Sequence, residues 1–305
     1  MFATRKVASS TILIIFCLLL LSSCGGLTGG SISTSTSITV VAAENFYGDV
    51  VQQLGGSHVH VTSILSDPNV DPHEYTSNFQ TAQKISQAGF VIENSGGYDN
   101  WMDKLLSSSP NSNRIVLKGY DLATNHLPNN EHVWYGIDNM THIAQGITSA
   151  LKKLDSHDAA TFDNNLKTFT QSLTTLQQKI EHIHALYVGT PIALTETIYL
   201  YQAEPEGLNV LTPFEFMKAN AEGNDPPADT VTAINNEIQQ KQAKILIYNV
   251  QTVTPLTTNV QNEAKKQNIP VVPVSETMPV GKTYQTWMSD QLNLLETALH
   301  QGTGK

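Results

Sequence analysis

Two cysteines, Cys17 and Cys24, are all the thiol in this 305-residue chain, and both stand near its start. No disulfide framework and no thiolate metal site can be built from the remainder of the chain. Charge is scarce as well: 14% of residues are charged, and 17 basic residues face 27 acidic ones, for a formal net charge of −10. With no basic run to neutralise phosphates and release counterions, a nucleic-acid partner is excluded and cations are the expected guests. HExxH and G-x-S-x-G patterns are both absent, which removes two common hydrolase signatures. Apolar residues make up 40% of the chain, a globular rather than a disordered composition, so solubility leans on Ser, Thr, Asn and Gln.

The one long apolar run, TILIIFCLLLL, comes after Arg5 and Lys6 and precedes LSSCGG. It is too short to span a bilayer comfortably and has the layout of a processing signal. Leu21, two small residues and Cys24 resemble a bacterial lipobox, which implies a signal peptide over 1–23 and lipidation of Cys24. Cleavage would remove Arg5, Lys6 and Cys17, leaving a more acidic chain without a free thiol. The stretch GGLTGGSISTSTS has no apolar pattern and reads as a flexible tether over 24–36. The expected product is an extracytoplasmic body anchored to the membrane.

Beyond the tether, strand and helix patterns alternate. ITVVAA, HVHVTSIL, FVIEN and NRIVLKG read as strands in the first part. PIALTE, AKILIYNV and IPVVPVSE read as strands in the second. Such alternation predicts an α/β fold with two lobes, each a mostly parallel sheet flanked by helices, with ligands outside the carboxyl ends of the strands. Between them, 155–187 lacks Pro and Gly, and Phe162, Leu166, Phe169, Leu173, Leu176, Ile180, Ile183 and Tyr187 alternate spacings of three and four. This predicts one long rigid linking helix, on the order of 45 Å. Asp155 and Asp158 resemble a capping box at its start, and Gly189 with Pro191 stops it. The lobes are expected over 37–154 and 188–305.

One histidine, His73, is pressed between Pro72 and Glu74 in SDPNVDPHEYTSN, just past a strand end. Pro72 fixes its own φ and restricts Asp71 before it, so the imidazole leaves a loop that cannot easily reshape. In the second half, two strands end in a carboxylate, Glu196 and Glu276.

DPNVDPHEYTSN, NNEHVWYGIDNM, TETIYLYQAEPEGL and PVVPVSETMP, set on either side of the long helix, resemble the metal-binding solute-binding lipoproteins of bacterial ABC importers for zinc and manganese. The resemblance covers nearly the whole mature chain, and DPHEY is its most specific piece. It implies that His73, His132, Glu196 and Glu276 bind one divalent metal, Zn2+ or Mn2+, in the cleft between the lobes. The metal is cargo for a membrane permease; no catalytic cofactor and a monomer are expected. Two departures concern metal identity. Glu196 stands where zinc members often have a third histidine, and Glu276 where many members have aspartate. The histidine-rich loop of some zinc importers is absent, with only His126 near His132.

Physical chemistry supports the same set. Imidazole and carboxylate are the donors that remain when thiols are absent, four suffice for Zn2+, and two glutamates cancel the charge of a divalent ion. Two histidines and two carboxylates could instead make a metal-dependent hydrolase if one position stayed open to water. A surface adhesin is a third class, but one that has no need of the ligand set. Trp134, Tyr199 and Tyr201 read as packing residues. His58 and His60 read as an exposed strand edge, and His182 and His184 as solvated positions on the long helix.

Overall fold

The computed structural model of the protein describes residues 37–67, 70, 72 and 75–305. The signal peptide, tether and Cys24 expected over 1–36, and His73 itself, lie outside the described residues.

Eight strands form two sheets among the described residues. The first contains β1 (Ile38–Glu44), β2 (Val59–Leu65), β3 (Phe90–Glu93) and β4 (Ile115–Lys118) in the order β2-β1-β3-β4. The second contains β5 (Pro191–Leu194), β6 (Asn209–Val210), β7 (Leu246–Asn249) and β8 (Val271–Val274) in the order β6-β5-β7-β8. Every pairing is parallel; Val40, for instance, lies opposite Val61 on one side and Phe90 on the other. Parallel strands need helical crossovers that cover both faces, which is why β1 and β3 read as continuous apolar runs rather than alternating ones. The last five residues of β1 and all four of β3 are buried. The two-residue β6 lies in GLNV, too short for any periodicity to announce it.

The long helix runs Ala159–Tyr187, 29 residues, so it begins four residues later than the span predicted from 155. The predicted capping box is not formed. Asp155 closes the preceding helix Ile137–Leu154, and Asp158, at the N-cap of the long helix, makes no capping hydrogen bond; both carboxylates turn toward His58. At the other end Gly189 adopts φ 76°, a left-handed conformation that glycine takes without a Cβ penalty, and its N–H donates to the Gly207 carbonyl at 2.7 Å.

Phe162, Phe169, Leu173, Leu176, Ile180, Ile183 and Tyr187 form the helix's buried stripe, with Leu166 half-buried beside them. That stripe belongs to one continuous core that takes in Phe46, Val50 and Trp134 from the first half and Tyr199, Trp287, Leu292 and Leu295 from the second. Smaller apolar clusters lie on the far face of each sheet, around Ile85 and Met102 in one and Ile234 and Val260 in the other. A core that crosses between lobes resists large hinge motion, because opening would expose close-packed apolar surface. No helix among the described residues is long and apolar enough to cross a membrane.

Candidate metal centre

Three of the four residues singled out as ligands converge. His132, Glu196 and Glu276 each offer a donor atom, and these atoms all lie within 4.8 Å of one another. All three side chains are buried. Glu196 lies just beyond β5 and Glu276 just beyond β8, so parallel strands of one sheet deliver both carboxylates to the same edge. His132 comes from the first half, at the start of a 3-10 turn over Val133–Tyr135.

The imidazole's orientation is set from across the cleft. Asn130 Nδ2 donates to the Thr197 carbonyl at 2.9 Å, which leaves Asn130 Oδ1 as an acceptor. That oxygen receives the His132 backbone N–H at 3.0 Å and faces His132 Nδ1 at 2.9 Å. An amide oxygen can only accept, so Nδ1 carries a proton, and Nε2 is the ring nitrogen turned toward the carboxylates. Nε2 faces Glu196 Oε1 at 3.6 Å. Fixing one ring nitrogen as a donor so that the other can bind metal is the usual arrangement for histidine ligands. Trp134 and Tyr98 flank the ring with centroids 5.1 and 5.9 Å away.

Neutral donors hold the carboxylates. Asn249, the last residue of β7, reaches both, with Nδ2 at 3.2 Å from Glu196 Oε2 and 2.5 Å from Glu276 Oε1. Thr197 Oγ1 donates to Glu196 Oε1 at 3.0 Å, and the Tyr98 hydroxyl donates to Glu276 Oε2 at 2.9 Å. Gln251 Oε1 accepts from the Glu276 backbone N–H at 2.6 Å, while its Nε2 donates to the Val70 carbonyl at 2.9 Å. Burial nevertheless pushes the Glu196 carboxyl up to about 8, with the negative charge of Glu131 adding to the rise and the Thr197 and Asn249 bonds opposing it. Without a cation, two carboxylates this close and this dry are costly; a divalent ion offsets their charge. Bonds of roughly 2.0–2.2 Å to such an ion are within reach of donors already this close. Trp134, Tyr199 and Tyr201 are buried.

Asn130, Asn249, Tyr98 and Thr197 are not among the residues that sequence reasoning singles out. A signal for Asn249 exists, since it ends the strand AKILIYNV at the same sheet edge as the two glutamates. Nothing local marks Tyr98, whose hydroxyl meets Glu276 across 178 positions of sequence.

Comparison with known proteins gives a consistent result. The family model described as zinc-uptake complex component A, periplasmic, matches residues 40–298. The manganese ABC transporter substrate-binding lipoprotein scaA of Streptococcus gordonii is 25% identical over 172 residues, 52% of this chain and 55% of that protein. The match thus spans about half of that relative. The metal ABC transporter substrate-binding lipoprotein FimA of Streptococcus parasanguinis is 23% identical over 324 residues, 97% of this chain and 100% of that protein. Among solved structures, the periplasmic zinc-binding protein TroA of Treponema pallidum superposes with a TM-score of 0.73 at 16% identity, covering 87% of this chain and 99% of that one, a likeness of fold. The family match covers most of the chain, and the two-lobe fold agrees with it: this protein belongs to the zinc-uptake complex component A family.

Proposed function

We propose that the protein is the extracytoplasmic metal-binding component of an ABC importer, which captures a divalent ion, Zn2+ or Mn2+, between its lobes and delivers it to a membrane permease. The observation that carries this reading is the buried convergence of one oriented imidazole and two glutamates from opposite sides of the cleft. His73 supplies the fourth donor in this reading; Gln251, which holds the Glu276 backbone, also bonds Val70, three residues before it. Cys24 carries the lipid that keeps the protein at the membrane surface. Membership in a family of uptake proteins, and relatives named as transporter binding lipoproteins, favour transport over a metal-dependent hydrolase or an adhesin.

Competitive titration of Zn2+ and Mn2+ at one pH tests the reading, because metal must displace protons from its ligands. Zinc binds more tightly at equilibrium, in line with the general order of affinities for such sites, whichever metal is the cargo. Glu196→His removes up to two oxygens and one negative charge, which weakens Mn2+ more than Zn2+. The expected outcome is a rise of about tenfold or more in the Zn/Mn affinity ratio, equivalent to about 1.4 kcal/mol. An unchanged ratio would place Glu196 outside the coordination sphere, and failure of either metal to bind in the cleft would end the proposal. Mass spectrometry of the membrane-derived protein tests Cys24, with Cys24→Ala expected to lack acyl chains.

A further inference from the structure

A second group of metal-ligating side chains stands apart from the cleft. His58 ends a 3-10 turn, Gly56–His58, ahead of β2 instead of sitting on the strand edge expected for it. Its Nδ1 lies 2.9 Å from Asp158 Oδ2 and 4.0 Å from Asp155 Oδ2, and one donor atom from each residue falls within a 4.8 Å set. We propose that His58, Asp155 and Asp158 form a second divalent-cation site, which ties the first lobe to the start of the long helix.

Three features make this more than an incidental ion pair. Asp158 occupies the N-cap of the long helix but makes no cap hydrogen bond. A carboxylate there ordinarily accepts from the first-turn N–H groups; here it turns to the imidazole instead. Asp155 is held by the His157 backbone N–H on Oδ1 at 3.1 Å, which leaves Oδ2 for the His58 side. The imidazole is seated by Phe162, whose ring meets it edge-on at 5.6 Å with an interplanar angle of 88°. The three donors therefore come from the turn ahead of β2 and from the two ends of the short connection between Asp155 and Asp158.

One imidazole nitrogen and two carboxylate oxygens suit a borderline first-row divalent cation, with water filling the remaining positions. Two aspartates neutralise its charge. All three side chains are 16–30% exposed, so a cation here exchanges with solvent and is held less tightly than one in the buried cleft. Occupancy would brace the Asp155–Asp158 turn, where the long helix begins, independently of the cleft.

The test is equilibrium dialysis of the full-length, metal-free protein against Zn2+, with metal content measured directly. The variants are Asp158→Asn, His58→Gln, and Glu276→Ala to disable the cleft. Asparagine caps helices as well as aspartate does, so Asp158→Asn keeps the helix start, and circular dichroism should match wild type. Wild type is expected to bind one equivalent more than Asp158→Asn or His58→Gln. Glu276→Ala should retain an equivalent whose affinity falls at least tenfold when Asp158→Asn is added. Wild-type stoichiometry in both Asp158→Asn and His58→Gln would overturn the site and leave an ion pair only. If wild type binds only the Asp158-dependent equivalent, this site stands and the cleft reading fails.

Discussion

Both sheets bring buried carboxylates to their carboxyl edges, yet the two edges are built differently. In the first sheet Glu44 ends β1 and Glu93 ends β3; in the second, Glu196 and Glu276 lie just past β5 and β8. None of the four is more than 2% exposed. The first pair stands beside another acid and a lysine. Burial, with the negative charge of Asp99 adding to it, pushes the Glu44 carboxyl well above the ordinary carboxylate range. Burial likewise pushes Glu93 up to about 7, although Lys118 Nζ lies 3.2 Å from its Oε1. Glu196 and Glu276 instead receive amide and hydroxyl donors, and Glu196 faces the Nε2 of an imidazole whose Nδ1 is held by Asn130. Burial of acids at a strand end is thus common to both edges. Amide and hydroxyl donors to the carboxylates, together with an imidazole from the opposite lobe, are what distinguish the second edge.

The sharpest way to break the contrast is to remove one carboxylate from each edge. At a thousandfold excess of metal over Kd, binding to the native state alone adds about 4 kcal/mol. Glu276→Ala should lose most of that stabilisation, whereas Glu44→Gln should keep it. Thermal melting with and without Zn2+ or Mn2+ measures both, and equal losses would erase the distinction.

A smaller effect is expected from Asn130→Ala, which leaves the carboxylates in place but takes away the acceptor that faces His132 Nδ1. Outer-shell partners of this kind are worth about 10–100-fold in affinity. Titration should show that loss with wild-type stoichiometry. An unaltered Kd would mean that the Thr197–Asn130–His132 chain does not orient the ligand.

The least effect concerns pH in the metal-free protein. The folded state raises Glu44 and Glu93 above their unfolded values, so between about pH 4.5 and 7, the range over which Glu93 is shifted, the folded form holds more protons than the unfolded one. Stability contributed by these groups is therefore present at low pH and lost as pH rises. Glu44→Gln removes the titrating group and keeps the size of the side chain. It should stabilise the metal-free protein more at pH 8 than at pH 5. Denaturant midpoints at the two pH values check this, and a stabilisation of equal size at both would refute the raised titration of Glu44.

Much of this molecule is legible in one dimension. Seven of the eight strands are legible in the sequence, the central β1 and β3 most clearly, because they are buried on both faces and read as continuous apolar runs. The long helix is visible because its stripe repeats at helical spacing along its whole length without a proline or glycine to interrupt it. Glu196 and Glu276 can be picked out as strand-end carboxylates for the same reason, since where a strand stops is a local property. Which polar groups meet is not local. Glu44 and Glu93 end strands just as plausibly, and only the packed structure sets one pair against Asp99 and Lys118 and the other against Asn249, Tyr98 and His132. His58 and Asp158 stand far apart in the chain, and the cap that local rules assign to Asp158 yields to a partner that the fold alone brings within 2.9 Å. Periodicity and strand ends are set by neighbours along the chain; the charge state and orientation of a buried donor are set by neighbours in space, which are chosen when the two lobes close on a common core.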